Sequence, residues 1–278
     1  MRRWLGHAVA AAILLALLAR LGTGPFQDGL RHVDALTVAG ACGLAIVTTT
    51  ACAWRWQTVA RGLGAGIPLP AAVAAYYRSL FLNLSLPGGV AGDVHRGLGH
   101  GVRAVFVERS AGQVVQVTLT VAVLLVAPSP VHAAMPVVAV ALVIAALAAV
   151  ALGRRRRWPA AAVLSRRAWT GIALASILVL AGHVATFVIA ARAAGVDAPA
   201  SQLLPLALLV LTAAALPNVG GWGPREGATA WAFGAAGLGA SAGIATAVVY
   251  GVLVLAAGLP GALVLAGTPM RRRGARSG

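Results

Sequence analysis

Two short segments concentrate the residue types that could do chemistry. The first reads Asn83-Leu84-Ser85-Leu86-Pro87-Gly88-Gly89-Val90-Ala91-Gly92-Asp93-Val94-His95-Arg96. The second reads Leu216-Pro217-Asn218-Val219-Gly220-Gly221-Trp222-Gly223-Pro224-Arg225-Glu226-Gly227. Each ends an apolar run in Leu-Pro, adds a glycine pair, and then sets an acid close to an arginine. Proline and glycine break a helix and free backbone N–H and C=O groups. In hydrocarbon, such groups are tolerated only where protein buries them or where they line a wet cavity. Paired Gly/Pro-broken segments in the two halves of a chain are the sequence pointer to a transporter binding site. Pro87, Gly88, Gly89 and Gly92, with Pro217, Gly220, Gly221 and Gly223, are therefore expected to shape the backbone of such a site. Ordinary surface loops rich in turn residues are the plain alternative.

The charges sharpen the expectation. A central Arg or Asp costs about 2.5–3.5 kcal/mol on insertion scales. Left unpaired at membrane depth, Arg78, Asp93, Arg96, Arg225 and Glu226 would cost on the order of 10 kcal/mol, so they must pair, snorkel or face water. Asp93 and Arg96 are three apart and can share one helical face. Arg225 and Glu226 are adjacent and diverge, so Glu226 is expected to take Arg96 or Arg78 as its partner. On the functional reading, arginines receive a lipid phosphate, whose oxygens the planar guanidinium fork matches, and the acids orient them. On the bland reading, the same pairs anchor loops at the interface.

After Glu108 comes a polar stripe, Arg109, Gln113, Gln116 and Thr120, on one helix face; it should meet a partner helix or a cavity. His183 and Thr186 also share a face, and a lone membrane histidine reads first as a hydrogen-bonded packing residue. The expected substrate-binding set is Arg78, Asn83, Asp93, Arg96, Arg109, Gln113, Arg225 and Glu226. No catalytic residue is assigned.

These residues must be positioned by membrane helices. Of the 278 residues, 60% are hydrophobic and 10% charged, against about 25% charged in ordinary soluble domains. That composition excludes disorder and a soluble α/β enzyme. All 22 basic residues are arginine, against six acids, for a net charge of +16. Without lysine there is no Walker-A loop and no Schiff base. The arginines sit between apolar runs, as the positive-inside bias places them, so nucleic acid is not an expected partner. No His-Glu-x-x-His or Cys-His cluster occurs, so no metal or other cofactor is expected. Cys42 and Cys52 lie about 15 Å apart along one helix and cannot bridge. Trp54-Arg55-Trp56 reads as an interfacial anchor. Gly239-x-x-x-Gly243 permits a close helix contact.

Apolar runs of spanning length cover residues 4–21, 35–54, 111–131, 133–152, 169–190 and 240–266, with less regular runs at 69–86, 201–216 and 219–238. The arginine clusters at Arg2/Arg3, at Arg154–Arg157 with Arg166/Arg167, and at Arg271–Arg276 should all be cytoplasmic. That parity holds only if the region 69–109 dips in and returns and the region 201–238 makes an even number of crossings. The expected fold is an all-α, polytopic integral membrane protein. It has about six full spans, two Pro/Gly-broken re-entrant regions (69–109 and 201–238) arranged as an inverted repeat, and a basic cytoplasmic tail (267–278). Residues 1–278 form one transmembrane domain, with both termini cytoplasmic.

The motifs resemble those of the lysylphosphatidylglycerol synthase transmembrane region, a flippase-like membrane domain. The matching features are Arg55-Trp56 with its Gly-rich linker, Asn83, Pro87, Gly88-Gly89, and Gly92-Asp93-x-x-Arg96. They continue with Glu108-Arg109-x-x-Gly112, Leu216-Pro217 to Gly223-x-Arg225-Glu226-Gly227, and Leu259-Pro260-Gly261, so that most of the chain is covered. The resemblance implies a bacterial membrane protein linked to translocation of a phospholipid or glycolipid. In the two-part enzymes a soluble aminoacyl-transferase domain follows the membrane part; this chain stops at Gly278, so synthase activity is not carried over. The expectation is a non-enzymatic, flippase-like transporter of a phosphate-bearing lipid, an anionic phospholipid or polyprenyl-linked glycolipid, in the cell membrane. The alternatives are a lipid-headgroup transferase or a regulatory subunit partnering a cell-envelope glycosyltransferase.

Overall fold

The computed structural model describes residues 33–86, 89–155, 164–215 and 223–267. Among the described residues the regular structure is helical. In chain order the α-helices are α1 (Ala35–Gly62), α2 (Leu69–Ser85), α3 (Ala91–His100), α4 (Val102–Val126), α5 (Met135–Arg155), α6 (Arg166–Ala193), α7 (Ala200–Ala213), α8 (Pro224–Ala235), α9 (Ala240–Gly258) and α10 (Pro260–Gly267). Four segments are long and apolar enough to cross a membrane: Ala35–Gly62, Val102–Val126, Arg166–Ala193 and Ala240–Ala266. The last contains the break at Leu259-Pro260, between α9 and α10. Large apolar side chains such as Leu36, Val114, Leu147, Leu174 and Leu263 face outward, as the lipid-facing surface of a polytopic α-helical membrane protein requires.

Local sequence explains the helix ends. Asp34 opens α1 by accepting the Thr37 N–H at 2.7 Å, and Ser165 opens α6 by accepting the Ala168 N–H at 3.2 Å. These caps satisfy first-turn donors that have no intrahelical partner. α1 then ends in a left-handed Gly64 (φ 86°), and α6 in a left-handed Gly195 (φ 78°). The closing hydrogen bonds correspond: Ala65 N–H to Ala60 and Gly64 N–H to Arg61 in the first, Val196 N–H to Ala191 and Gly195 N–H to Arg192 in the second. Pro68 and Pro199 then stand at the N-caps of α2 and α7.

The element order therefore repeats. A 28-residue helix, a shorter helix opened by proline, a short helix of 10 or 12 residues, and another long helix occur in each half. Left-handed Gly101 (φ 101°) and Gly239 (φ 89°) make the turn into the last of these. α1 and α6 pack along each other in opposite directions. Arg55 near the end of α1 reaches Ser176 in the first half of α6, while a Cβ at Gly40 would meet Ile189 near the end of α6 at 3.9 Å. Antiparallel packing of corresponding helices is the arrangement an inverted repeat demands.

Two apolar clusters hold the bundle. One joins α6 to α9 around Phe187, Leu203, Leu206, Phe233 and Leu253, with the Phe187 and Phe233 rings edge to face at 6.2 Å. The other joins α1, α2, α4 and α6 around Trp56, Ala72, Tyr76, Val105 and Ile172.

Helix boundaries differ from the apolar runs at several points. α4 begins at Val102, well before the run at 111, so Glu108 and Arg109 lie within a long helix. The polar residues of its first turns hide it from a hydropathy scan, while their hydrogen bonds across the bundle keep it folded. Within the region 69–100, α2 packs against α3. The run 219–238 is represented by the shorter α8. The expected first span at 4–21, the terminal arginine clusters, Pro87, Gly88, Pro217, Gly220 and Gly221 lie outside the described residues.

Candidate functional site

Five helices bring a buried ionic cluster together. α1 supplies Arg55 and Trp56, α2 Tyr76, Ser79 and Asn83, α3 Asp93 and Arg96, α4 Glu108 and Arg109, and α6 Ser176. The start of α3 is built for close approach to α2. Gly89 takes a left-handed φ of 65°, and a Cβ at Gly92 would overlap the Ser79 carbonyl. Only glycine lets α3 lie this near α2. The Gly92 N–H donates to Asn83 Oδ1 at 2.7 Å, and Asn83 Nδ2 donates to Asp93 Oδ2 at 3.2 Å. Ser79 Oγ donates to Asp93 Oδ1 at 3.2 Å.

Glu108 is the centre of the cluster and is fully buried. It accepts from Arg55 Nε at 2.9 Å and also from Arg55 Nη2. Arg96 Nη2 reaches its other oxygen, Oε2, at 3.1 Å, and the Tyr76 hydroxyl donates to Oε1, the oxygen held by Arg55, at 3.2 Å. A buried carboxylate persists only with such compensation. The Arg96 side chain is 1% exposed. Its guanidinium lies between the rings of Trp56 (4.7 Å) and Tyr76 (4.2 Å) and also donates to Asp93 at 3.0 Å. The aromatic faces stabilise a cation that its hydrogen bonds only partly satisfy: Nε and Nη1 have no hydrogen-bond partner among the described residues. Arg109 closes the network on Asp93 Oδ2 at 2.7 Å, with its side chain 44% exposed. Burial alone would raise the Asp93 carboxyl, but Arg109 foremost, then Arg96 and Asn83, hold it below its ordinary value.

Arg55, Tyr76, Arg109 and Ser176 of the cluster line an open cavity of about 320 Å³ bordered by α1, α2, α4, α6, α7 and α9. Ligand pockets occupy roughly 300–1,000 Å³. Arg55, Arg109, Gln113, Gln116 and Ser176 give it a polar wall, and Leu80, Leu180, Leu253 and Val254 an apolar one. The stripe on α4 thus meets both expected surroundings. Arg109, Gln113 and Gln116 face the cavity, and Thr120 faces a helix, its hydroxyl 3.3 Å from that of Thr212 on α7. His183 also lines the cavity, with Nδ1 3.1 Å from the Tyr250 hydroxyl.

The second segment forms its own pair, which corrects the expected Glu226 partner. Glu226 takes neither Arg96 nor Arg78 but its neighbour: Arg225 Nε donates at 2.9 Å and Nη2 at 2.5 Å. Glu226 sits at N3 of α8 and reaches back to accept the Gly223 N–H at 2.6 Å. That capping geometry draws the carboxylate toward the helix start, where the long Arg225 side chain wraps onto it; angular divergence along a helix does not constrain side chains at its end. Gly223 itself is left-handed (φ 114°). Arg225 lies 5.4 Å over the Tyr250 ring, so this pair connects to the cavity through Tyr250 and His183.

The family model for the lysylphosphatidylglycerol synthase TM region matches residues 3–261. The chain belongs to this family. No curated protein and no solved structure matches it. Membership ties the chain to a membrane and to lipid-related function, and the matched span contains every helix that builds the cluster.

Of the expected binding set, Arg109 and Gln113 line the cavity. Asn83, Asp93 and Arg96 stand behind it, within the network that holds Arg109. Arg225 and Glu226 form the separate second pair, and half-buried Arg78 makes none of these contacts. Sequence reasoning left Arg55, Trp56, Tyr76, Glu108 and Ser176 out of the binding set. Trp54-Arg55-Trp56 is not an interfacial anchor alone: Arg55 and Trp56 are buried, and only Trp54 is exposed. The signal was present, since an arginine inside an apolar run requires a carboxylate, and Glu108 was at hand.

Proposed function

We propose that this chain is a lipid transporter that holds a phosphate-bearing headgroup in the cavity between α1, α4, α6 and α9 and carries it across the cell membrane while the tails remain in the bilayer. The observation that carries the reading is the charge imbalance at the cavity. Among the described residues, three guanidiniums (Arg55, Arg96 and Arg109) face two carboxylates (Asp93 and Glu108), leaving one positive charge in surroundings that penalise it. A phosphate monoanion at Arg109 neutralises the site, and of the two arginines that line the cavity Arg109 is the more exposed, 44% against 6% for Arg55. Family membership supports a lipid as the source of that phosphate. The antiparallel repeat supports alternation of the two halves around the site, with both termini cytoplasmic.

A headgroup transferase is less well supported. It needs a general base within reach of the reacting oxygen, and each carboxylate of the cluster is held by two arginines. The test is purified protein in liposomes with labelled lipid. Transbilayer movement should exceed that in empty vesicles and fall at least tenfold on Arg109→Gln. Movement no faster than in empty vesicles, across anionic and polyprenyl lipids, refutes the proposal.

A further inference from the structure

The cavity wall is one-sided in charge. Among its described lining residues none is Asp or Glu. The two nearby carboxylates lie behind Arg55, Arg96 and Arg109, which occupy them. A headgroup ammonium would enter with no counter-ion while Arg55 and Arg109 repel it. The remaining polar groups are neutral. Gln113 and Gln116 line the cavity, and neither carboxamide bonds to another described residue. Each offers an acceptor oxygen and two N–H donors, the complement of a hydroxyl that both donates and accepts. They stand four and seven residues after Arg109 on one helix face, about 6 and 10 Å further along the axis. A headgroup that extends from a phosphate at Arg109 along α4 meets Gln113 first, and one as long as a sugar ring approaches Gln116 as well.

Resting on the transport reading, we infer that the ligand is a phosphate-linked headgroup that is neutral and hydroxylated, a polyol or sugar, and that ammonium-bearing headgroups are rejected. The roles divide along α4: Arg109 takes the phosphate, and Gln113 and Gln116 read the hydroxyls.

The test is equilibrium binding to the purified chain in detergent, using four lipids with identical tails: phosphatidylinositol, phosphatidylglycerol, phosphatidic acid and phosphatidylethanolamine. The first two should bind at least tenfold more tightly than phosphatidylethanolamine and several-fold more tightly than phosphatidic acid. In Gln113→Leu/Gln116→Leu the advantage of phosphatidylinositol over phosphatidic acid should vanish with phosphatidic acid affinity retained. Gln113→Glu, which puts a carboxylate in the cavity, should raise phosphatidylethanolamine affinity and lower that for phosphatidylinositol. Phosphatidylethanolamine binding as well as phosphatidylinositol in the wild type, or an unchanged order of lipids in Gln113→Glu, overturns the inference. Soluble inositol phosphate competing at the same concentration as the lipid would overturn the lipid as its source. Transport is read separately in vesicles. Selective binding without movement refutes the transporter and leaves the selectivity standing; movement blind to headgroup does the reverse.

Discussion

Glu108→Gln tests the cluster at its centre. The substitution keeps the shape and an acceptor for Tyr76 but removes a charge, so three guanidiniums then face Asp93 alone. Arg55 loses its only ion-pair partner among the described residues, and Arg96 keeps only Asp93; both are buried. Breaking a buried ion pair by removing one partner costs about 3–5 kcal/mol, because an uncompensated charge stays inside. For a chain of this size about 1 kcal/mol moves the midpoint by roughly 2–4 °C, so the apparent Tm should fall by roughly 6–20 °C. The assay is thermal unfolding in detergent, followed by tryptophan fluorescence. Asp93→Asn should cost less, because the Asp93 side chain is 16% exposed against 0% for Glu108. Adding Arg55→Met to Glu108→Gln should restore part of the loss, since it removes the stranded cation and substitutes an apolar side chain. A loss below about 1 kcal/mol, or a double variant no better than Glu108→Gln alone, would refute the reasoning.

Three further outcomes are expected. Gly92→Ala should cost about 1–3 kcal/mol or more by forcing α3 off the Ser79 carbonyl, while Gly43→Ala, whose Cβ meets nothing within 4 Å, should be neutral or stabilising; equal midpoints for the two variants would contradict the close approach. Gly112→Ala would bring a Cβ to 2.7 Å from Arg55 Nη1, so it should weaken phosphatidylinositol binding at least several-fold with a smaller Tm loss than Glu108→Gln; unchanged binding would show that the Arg55 position does not matter to the cavity. Because the Asp93 carboxyl is held below its ordinary value, its contribution is complete above that value and is lost as pH falls through the lower folded value. The Tm difference between wild type and Asp93→Asn should therefore hold from pH 7 to 5 and shrink only below about pH 4; shrinkage already at pH 6 would exclude the assigned sign.

The parts of the site governed by local rules were readable from the chain. Gly92-Asp93-x-x-Arg96 places an acid and a base on one face, and the Asp93–Arg96 pair forms at 3.0 Å. The stripe from Arg109 to Thr120 follows helical spacing, and its members reach the cavity or a neighbouring helix. Long-range pairing was not readable in the same way. Glu108 takes Arg55 across 53 positions, and that choice depends on how α1 packs beside α4. A hydropathy window also hid α4 before residue 111, since Arg103, Glu108 and Arg109 lower its average. Another signal was missed in plain view: Arg61, Gly64 and Pro68 recur at the same spacing as Arg192, Gly195 and Pro199. Those residues close α1 and α6 with matching hydrogen bonds, so the repeat shows more clearly in the helix ends than in the Leu-Pro-Gly-Gly segments.

The repeat is not symmetric in charge, and this bears on where a ligand can rest. In the second half Arg225 and Glu226 neutralise each other, and a helix cap fixes the carboxylate. In the first half the corresponding short helix carries Asp93 and Arg96, but α1 and α4 add Arg55, Glu108 and Arg109, and the sum over these described residues is one positive charge. Two equally charged halves would offer an anion two equivalent positions across the antiparallel α1–α6 contact. On the proposed reading the surplus gives it one, at Arg109, with the second pair reaching the same cavity through Tyr250 and His183. Reversing the imbalance should shift that preference: a carboxylate introduced beside Arg109 should expel the anion without unfolding the second half, because the Arg225–Glu226 cap does not depend on it.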